Sequence, residues 1–335
     1  MRWWLAPGLV AVAATFACGG GAPAGRDTAT TTSVPTARTA AASPASSPAV
    51  ASTPTAATAS PASTTPLDTN ACKARPAGAS TPVADPNGPY FHRVWIANEA
   101  TTGPRVENGR MVIDHASVPD GVSVPGVGTF VYYVNGATGG IDVARVDGYA
   151  VTPLGAITID GVPNPAGIVD PDASPLPGGG IRLAYLGSFG PPTPGRTWTM
   201  CIADGTDGRS FTVRGAAITF AAVTTDPSLL RLADGTWLMA ASQGQATVLA
   251  RSPDGLRFTA GETLTYGGVP ELAGAGGGRI RLYVCARAIE SYISADGGKS
   301  WQREGVIATA PAPQRIICDP SRIAGTNLFL YKTAD

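Results

Sequence analysis

From residue 116 onward the chain repeats one hydrophobic pattern. Five short, mostly apolar runs recur: TFVYYVNG (129–136), GIRLAYLGS (180–188), GTWLMAAS (235–242), RIRLYVCA (279–286) and LFLYKTA (328–334). Runs of this length after glycine-rich turns predict an alternating strand in each unit. A third run follows in four of the units: IDVARV, WTMCIA, ATVLARS and SYISA. After it comes an Asp-Gly turn leading to an aromatic, as DGYAV (147–151), DGRSF (207–211), DGLRF (254–258) and DGGKSW (296–301). Asp side chains bond the backbone of tight turns, and glycine supplies positive φ, so each turn predicts a hairpin into a fourth strand.

Each unit also opens in the same way, with a carboxylate beside a proline: SVPDG (117–121), IVDPD (168–172), TTDPS (224–228), GVPEL (268–272) and ICDPS (317–321). Asp120, Asp172, Asp226, Glu271 and Asp319 are 52, 54, 45 and 48 residues apart. That spacing is the length of a four-stranded propeller blade. The fifth unit stops after its second strand, and HRVWIAN (92–98) and NGRMVIDH (108–115) supply its two missing strands. N-terminal strands that complete the last blade leave no open sheet edge. The fold expected is therefore all-β: residues 84–335 form one five-bladed β-propeller. Its blades divide near 116–168, 169–223, 224–267, 268–314, and 315–335 joined to 90–115.

The first 83 residues read differently. Arg2 precedes an apolar run from Trp3 to Phe16, the pattern of an export signal over residues 1–17. Thr15-Phe16-Ala17-Cys18 resembles a bacterial lipobox, with Thr15 where that pattern prefers leucine, and this implies lipidation at Cys18. An ordinary secretory signal is the other reading, and the apolar run is too short to span a bilayer. Residues 18–83 are rich in Ala, Thr, Pro and Ser, with no aromatic between Phe16 and Tyr90, which predicts a disordered tether. The domain is expected in the cell envelope or secreted, as a monomer. With 24 basic against 24 acidic residues the chain has no net charge, which argues against a nucleic-acid partner. Cys72, Cys201, Cys285 and Cys318 allow two disulfides in three connectivities, or free thiols. Cys285 and Cys318 fall on strands of neighbouring blades.

SADGGKSW (294–301) matches the Asp-box of the sialidase (BNR-repeat) superfamily, and SPDGLRF (252–258) and GTDGRSF (205–211) are shorter relatives of it. The blade openers resemble those of the five-bladed glycoside hydrolases of the arabinanase and fructosidase type, which start strands with Asp-Pro near the channel. True sialidases match less well, because no Arg-Ile-Pro motif is present and the blade count is five. The hydrolase resemblance implies three roles in the order Asp (base), Asp (pKa modulator), Glu (acid), which fall here on Asp172, Asp226 and Glu271. Asp170 competes with Asp172, since it precedes Pro171 as Asp226 precedes Pro227. The resemblance gives the Asp-boxes no part in catalysis: they lock turns.

In a propeller, the loop entering the first strand and the loop leaving the second lie on one face. Asp120 and Asp319 therefore join the three implied catalytic residues at one rim of the channel. His115, Asn135, Ser188, Gln243, Arg287 and Lys332 stand there as candidate ligand-binding residues. Two carboxylates flanking a scissile bond is the requirement of glycoside hydrolysis. No cofactor is required for that chemistry, and a ring of carboxylate oxygens is a donor set that suits calcium. The chemistry expected is binding or hydrolysis of glycans. The alternative is a non-catalytic binding or scaffolding propeller whose carboxylates serve the fold, because every blade carries one.

Overall fold

The computed structural model describes residues 67–76, 87–101, 103–187 and 189–335. The proposed signal, Cys18 and Ser188 lie outside them. Five antiparallel sheets surround a central channel. Blade 1 runs outward as Ala116–Val124, Gly128–Asn135, Ile141–Asp147 and Ala150–Ala156. Blade 2 begins with Val169–Pro175 and Ile181–Leu186, and a small hairpin (Thr158–Ile159, Val162–Pro163) extends its outer edge. Thr225–Arg231 leads blade 3, Pro270–Gly274 blade 4 and Ile316–Arg322 blade 5. The closure is as expected: Arg93–Glu99 pairs antiparallel with Leu328–Ala334, and Val106–Asp114 forms the outer strand of that blade.

Period-2 alternation explains why the second strands are apolar throughout. In Ile181–Leu186, Ile181, Leu183 and Tyr185 pack toward blade 1, while Ala184 and Leu186 pack toward blade 3. Hydrophobic clusters fill each of the five seams between blades, so the core is a ring of interfaces around the channel. Tyr185 and Tyr283 are fully buried packing residues, and their hydroxyls donate to Cys72 O and to Glu99 Oε1.

Both disulfides form, Cys72–Cys201 and Cys285–Cys318. The second staples blade 4 to blade 5. The first corrects the extent of the tether, because residues 67–76 lie on blade 2. Ala216 N–H donates to Asp68 O and Ala166 N–H to Arg75 O. Backbone bonds and a covalent link hold this stretch, not aromatic burial, which is why its composition hides it.

Four of the five openers are bulged, and only Pro270–Gly274 pairs in continuous register. Register shifts fall between Ser117 and Asp120, Thr225 and Ser228, and Cys318 and Ser321, with another opposite Asp170-Pro171. Proline has no N–H to give the ladder, so the strand skips there. Val118, Asp170, Asp226 and Asp319, each just before the proline, all take φ between 47° and 55°. The inner strands then converge closely. A Cβ on Gly121 would lie 2.5 Å from Ile323 Cγ1, so this glycine is there for room. Gly121→Ala is expected to lower stability by about 1–3 kcal/mol through overpacking, read as a shift in the urea midpoint at unchanged m.

Candidate functional site

The prolines Pro119, Pro171, Pro227, Pro270 and Pro320 line a narrow waist in the channel, with a cavity of only about 20 Å³. Residues on both sides of the prolines face the channel: Val118, Asp226, Val269 and Asp319 before them, and Asp120, Asp172 and Glu271 after them, line the same waist. The opener carboxylates therefore fall into two layers. Asp120, Asp172, Ser228, Glu271 and Ser321 follow the prolines. Val118, Asp170, Asp226, Val269 and Asp319 precede them. This corrects the sequence reading, which grouped Asp226 and Asp319 with Asp172, Glu271 and Asp120. Asp170 and Asp172 do not compete; they occupy different layers.

The lower layer closes the ring of blades. Asp120 Oδ2 accepts Ala173 N–H at 2.6 Å, and Asp172 Oδ2 accepts Leu229 N–H at 3.1 Å. Ser228 Oγ accepts Leu272 N–H at 2.9 Å, Glu271 Oε1 accepts Arg322 N–H at 3.1 Å, and Ser321 Oγ accepts Gly121 N–H at 3.0 Å. Each side chain thus bonds the backbone of the next blade, around all five seams. Serine serves this purpose as well as aspartate does. The serines also donate, Ser228 to Glu271 Oε2 and Ser321 to Asp120 Oδ1.

The three acids of this layer are buried, and each offers an oxygen within 4.8 Å of the others. Burial pushes Asp120 up to about 7, against the backbone bond from Ala173. Asp172 and Glu271 are raised well above the ordinary range, first by burial and then by the charge of Asp120. As a calcium shell the set falls short: calcium takes six to eight oxygens, and most of these are committed to N–H and hydroxyl donors. Protons, not a metal, match the donor set. A cavity of about 120 Å³ opens below this layer, on the face away from the strand starts.

The upper layer lies on the side of the strand starts. Asp319 is buried; its Oδ2 accepts Val118 N–H at 3.0 Å and pairs with Lys332 Nζ at 2.9 Å. Asp319 Oδ1, also buried, has no hydrogen-bond partner. Asp226 is half-buried at the mouth and accepts from Thr225 Oγ1 at 2.6 Å. Burial, then the charge of Asp319, raises Asp226 to about 6, against Thr225 and Lys332. Asp170 is raised well above the usual carboxylate range by burial and then by Asp226, whose N–H reaches its Oδ2 at 3.4 Å. Burial disfavours the charge on Lys332, but Asp319, Asp226 and Asp170 together raise its pKa.

The other rim residues do less than the sequence suggests. Asn135 donates to Asp142 Oδ2 and caps its own turn through Ala137 N–H. Gln243 donates to Thr224 Oγ1. His115 stands further out, stacked on Tyr90 at 4.1 Å with Nδ1 2.6 Å from Tyr90 O. Arg287 is exposed in the turn 286–288. Of the rim candidates in the described residues, Lys332 alone reaches a channel carboxylate. The alignment of the openers on their prolines was the signal for the two layers.

The Asp-Gly turns lie on the opposite face. Asp296 Oδ1 accepts Lys299 and Ser300 N–H, and Ser294 Oγ accepts Gly298 N–H. Donation from Ser300, first of all, holds Asp296 far below the usual carboxylate range. These carboxylates lock turns.

No family model matches the sequence, and no curated protein sequence matches it. Among solved structures, a thermostable family-43 glycoside hydrolase superposes with a TM-score of 0.50 and 10% identity, covering 66% of this chain and 88% of its own. A fructofuranosidase from Schwanniomyces occidentalis gives 0.48 and 13%, covering 63% and 50%. The GH43_1 enzyme from Xanthomonas citri gives 0.44 and 14%, covering 65% and 87%. At such identities the likeness is one of fold.

Proposed function

We propose that the propeller takes glycans at the upper mouth of its channel and hydrolyses them, with Asp226 as proton donor and Asp319 as base or nucleophile. The observation that carries this reading is the contrast between these two acids. One is half-buried and raised to about 6, while the other is ion-paired with Lys332 and keeps a buried oxygen without a donor. Two carboxyl groups in unlike surroundings, one of them holding its proton to about 6, are the arrangement acid–base hydrolysis requires. An unsatisfied buried acceptor costs about 1–3 kcal/mol, and a water or sugar hydroxyl donating to Asp319 would remove that cost. Asp170 adds the third carboxyl group of this layer, raised in turn by burial and by Asp226. The catalytic set implied by the hydrolase resemblance thus moves from Asp172, Asp226 and Glu271 to Asp170, Asp226 and Asp319.

The experiment is to incubate residues 67–335 with arabino-, xylo- and fructo-oligosaccharides of one to six sugars, and with sialylated glycans, and to measure released sugar. Asp226→Asn and Asp319→Asn are each expected to lower turnover a hundredfold or more, of the order general acid–base catalysis contributes. Glu271→Gln should leave turnover in place. Because Asp226 must carry its proton to act, turnover should fall as pH rises through about 6. The reverse pattern, silence in Glu271→Gln and full activity in Asp226→Asn, would return catalysis to the lower layer.

The non-catalytic reading has an observation of its own: Asp170 and Asp319, like the lower layer, each accept an N–H from the next blade. On that reading no sugar is released, and the domain is a binding module. The wider assignments belong to the proposal too. Export on residues 1–17 and an anchor at Cys18 agree with two disulfides, which persist in oxidising compartments. We place the domain in the cell envelope as a monomer, an outlying relative of the Asp-box propellers.

A further inference from the structure

Seven large hydrophobic side chains are exposed among the described residues, and five of them stand on the upper face: Tyr90, Phe91, Phe189, Val223 and Ile316. The other two, Met111 and Val306, lie on outer strands. Val223 and Ile316 stand singly at the entries to blades 3 and 5, and only a contiguous apolar group marks a binding surface. The aromatics belong to the side of blades 1 and 2. Phe91 packs edge-on against Tyr90 at 5.5 Å, and the far side of this pair is the Tyr90–His115 stack. Gly136 has no room for a Cβ, which would lie 2.4 Å from Tyr90 N, and Gly140 is pressed in the same way on Asn164 Oδ1. Beyond Asn164 the surface continues to Gly167, whose carbonyl accepts Phe189 N–H. Tyr90 and Phe189 are thus the two ends of one continuous edge.

The face is also uneven. The turn from second to third strand is five residues in blade 1 (136–140) and eleven in blade 2 (187–197), but two in blade 3 (244–245) and three in blade 4 (286–288). A high aromatic edge on one side and low turns on the other make an open-sided shelf across the mouth. A mouth closed all round would admit one terminal sugar; a shelf admits a chain passing over it.

We propose that the ligand of this mouth is an extended chain of several sugars, lying across the upper face with its ring faces against Tyr90, Phe91 and Phe189 and leaving over the low turns of blades 3 and 4. This rests on the glycan reading of the carboxylate site and names the substrate class within it. Aromatic side chains offer an apolar face with little conformational freedom to lose, which suits the C–H face of a sugar ring.

The test is calorimetric titration of residues 67–335 with each oligosaccharide series, beside Tyr90→Ala and Phe189→Ala, with released sugar measured in parallel. Affinity should rise with chain length in the parent. Each aromatic variant should bind the longest members about 2- to 10-fold more weakly and the single sugars unchanged. Phe189, exposed in its loop, guards against a folding defect at Tyr90. Length-dependent binding that the variants lose, with no sugar released, supports the shelf and defeats hydrolysis. Sugar release with no dependence on length or on either aromatic overturns the shelf and leaves hydrolysis standing. Binding of no series overturns both.

Discussion

Replacing Cys72 and Cys201 together by serine is expected to lower the stability of the propeller by about 5 kcal/mol, the loop-closure value for a loop of this length. The link spans 129 residues, and a cross-link that closes a long loop removes much entropy from the unfolded chain. The native state also loses something. Both cysteines are buried, and Cys72 brings with it the bonds from Tyr185 Oη and from Ala216 N–H to its segment. The measurement is equilibrium urea unfolding of residues 67–335 under non-reducing conditions. A parallel form starting at residue 87 lacks the segment and should match the double variant. A loss below 1 kcal/mol would mean that residues 67–76 only decorate blade 2.

That segment also marks where sequence reasoning stops. Strand runs, blade count and ring closure were legible because alternation and turn chemistry are local and repeat five times. That Cys285 and Cys318 fall on strands of neighbouring blades was legible; that they bond rather than stay free thiols was not. Cys72–Cys201 was not, because a stretch without aromatics carries no sign of the surface it will meet. The site was legible in its residues but not in its register. Counting one carboxylate per opener puts Asp120 beside Asp226 and Asp319; aligning the prolines puts Ser228 and Ser321 there instead. The proline is the better ruler because every opener has one, and in four of the five blades the ladder skips beside it. Tyr90, Phe91 and Phe189 gave no signal at all. An aromatic in a loop declares its exposure only once the loops are placed.

The two layers should separate in what their substitutions do to stability and to turnover. Asp120 keeps its proton in the folded protein up to about 7, whereas the unfolded chain releases it near 3.9. Below pH 4 both states hold the proton and nothing is lost. Between 4 and 7 only the folded state holds it, so unfolding releases a proton and stability falls as pH rises. Above 7 the loss is complete, about 4 kcal/mol for a rise of roughly three units. Asp172, Glu271, Asp170 and Asp226 are all raised and add in the same sense. Urea unfolding should therefore show a more stable protein at pH 5 than at pH 8. Asn at position 120 keeps an acceptor for Ala173 N–H and has no proton to lose. Asp120→Asn should equal the parent below pH 4, exceed it by a growing margin up to pH 8, and release sugar at the parental rate. Asp226→Asn should do the opposite on activity, since its carboxyl group works at the mouth and not in the ring. Stability that stays flat or rises from pH 5 to 8 would contradict the buried, protonated lower layer. Loss of turnover in Asp120→Asn would contradict its purely architectural role. The serines at 228 and 321 make that second outcome hard to reach, because two of the five blades already close the ring without a charge.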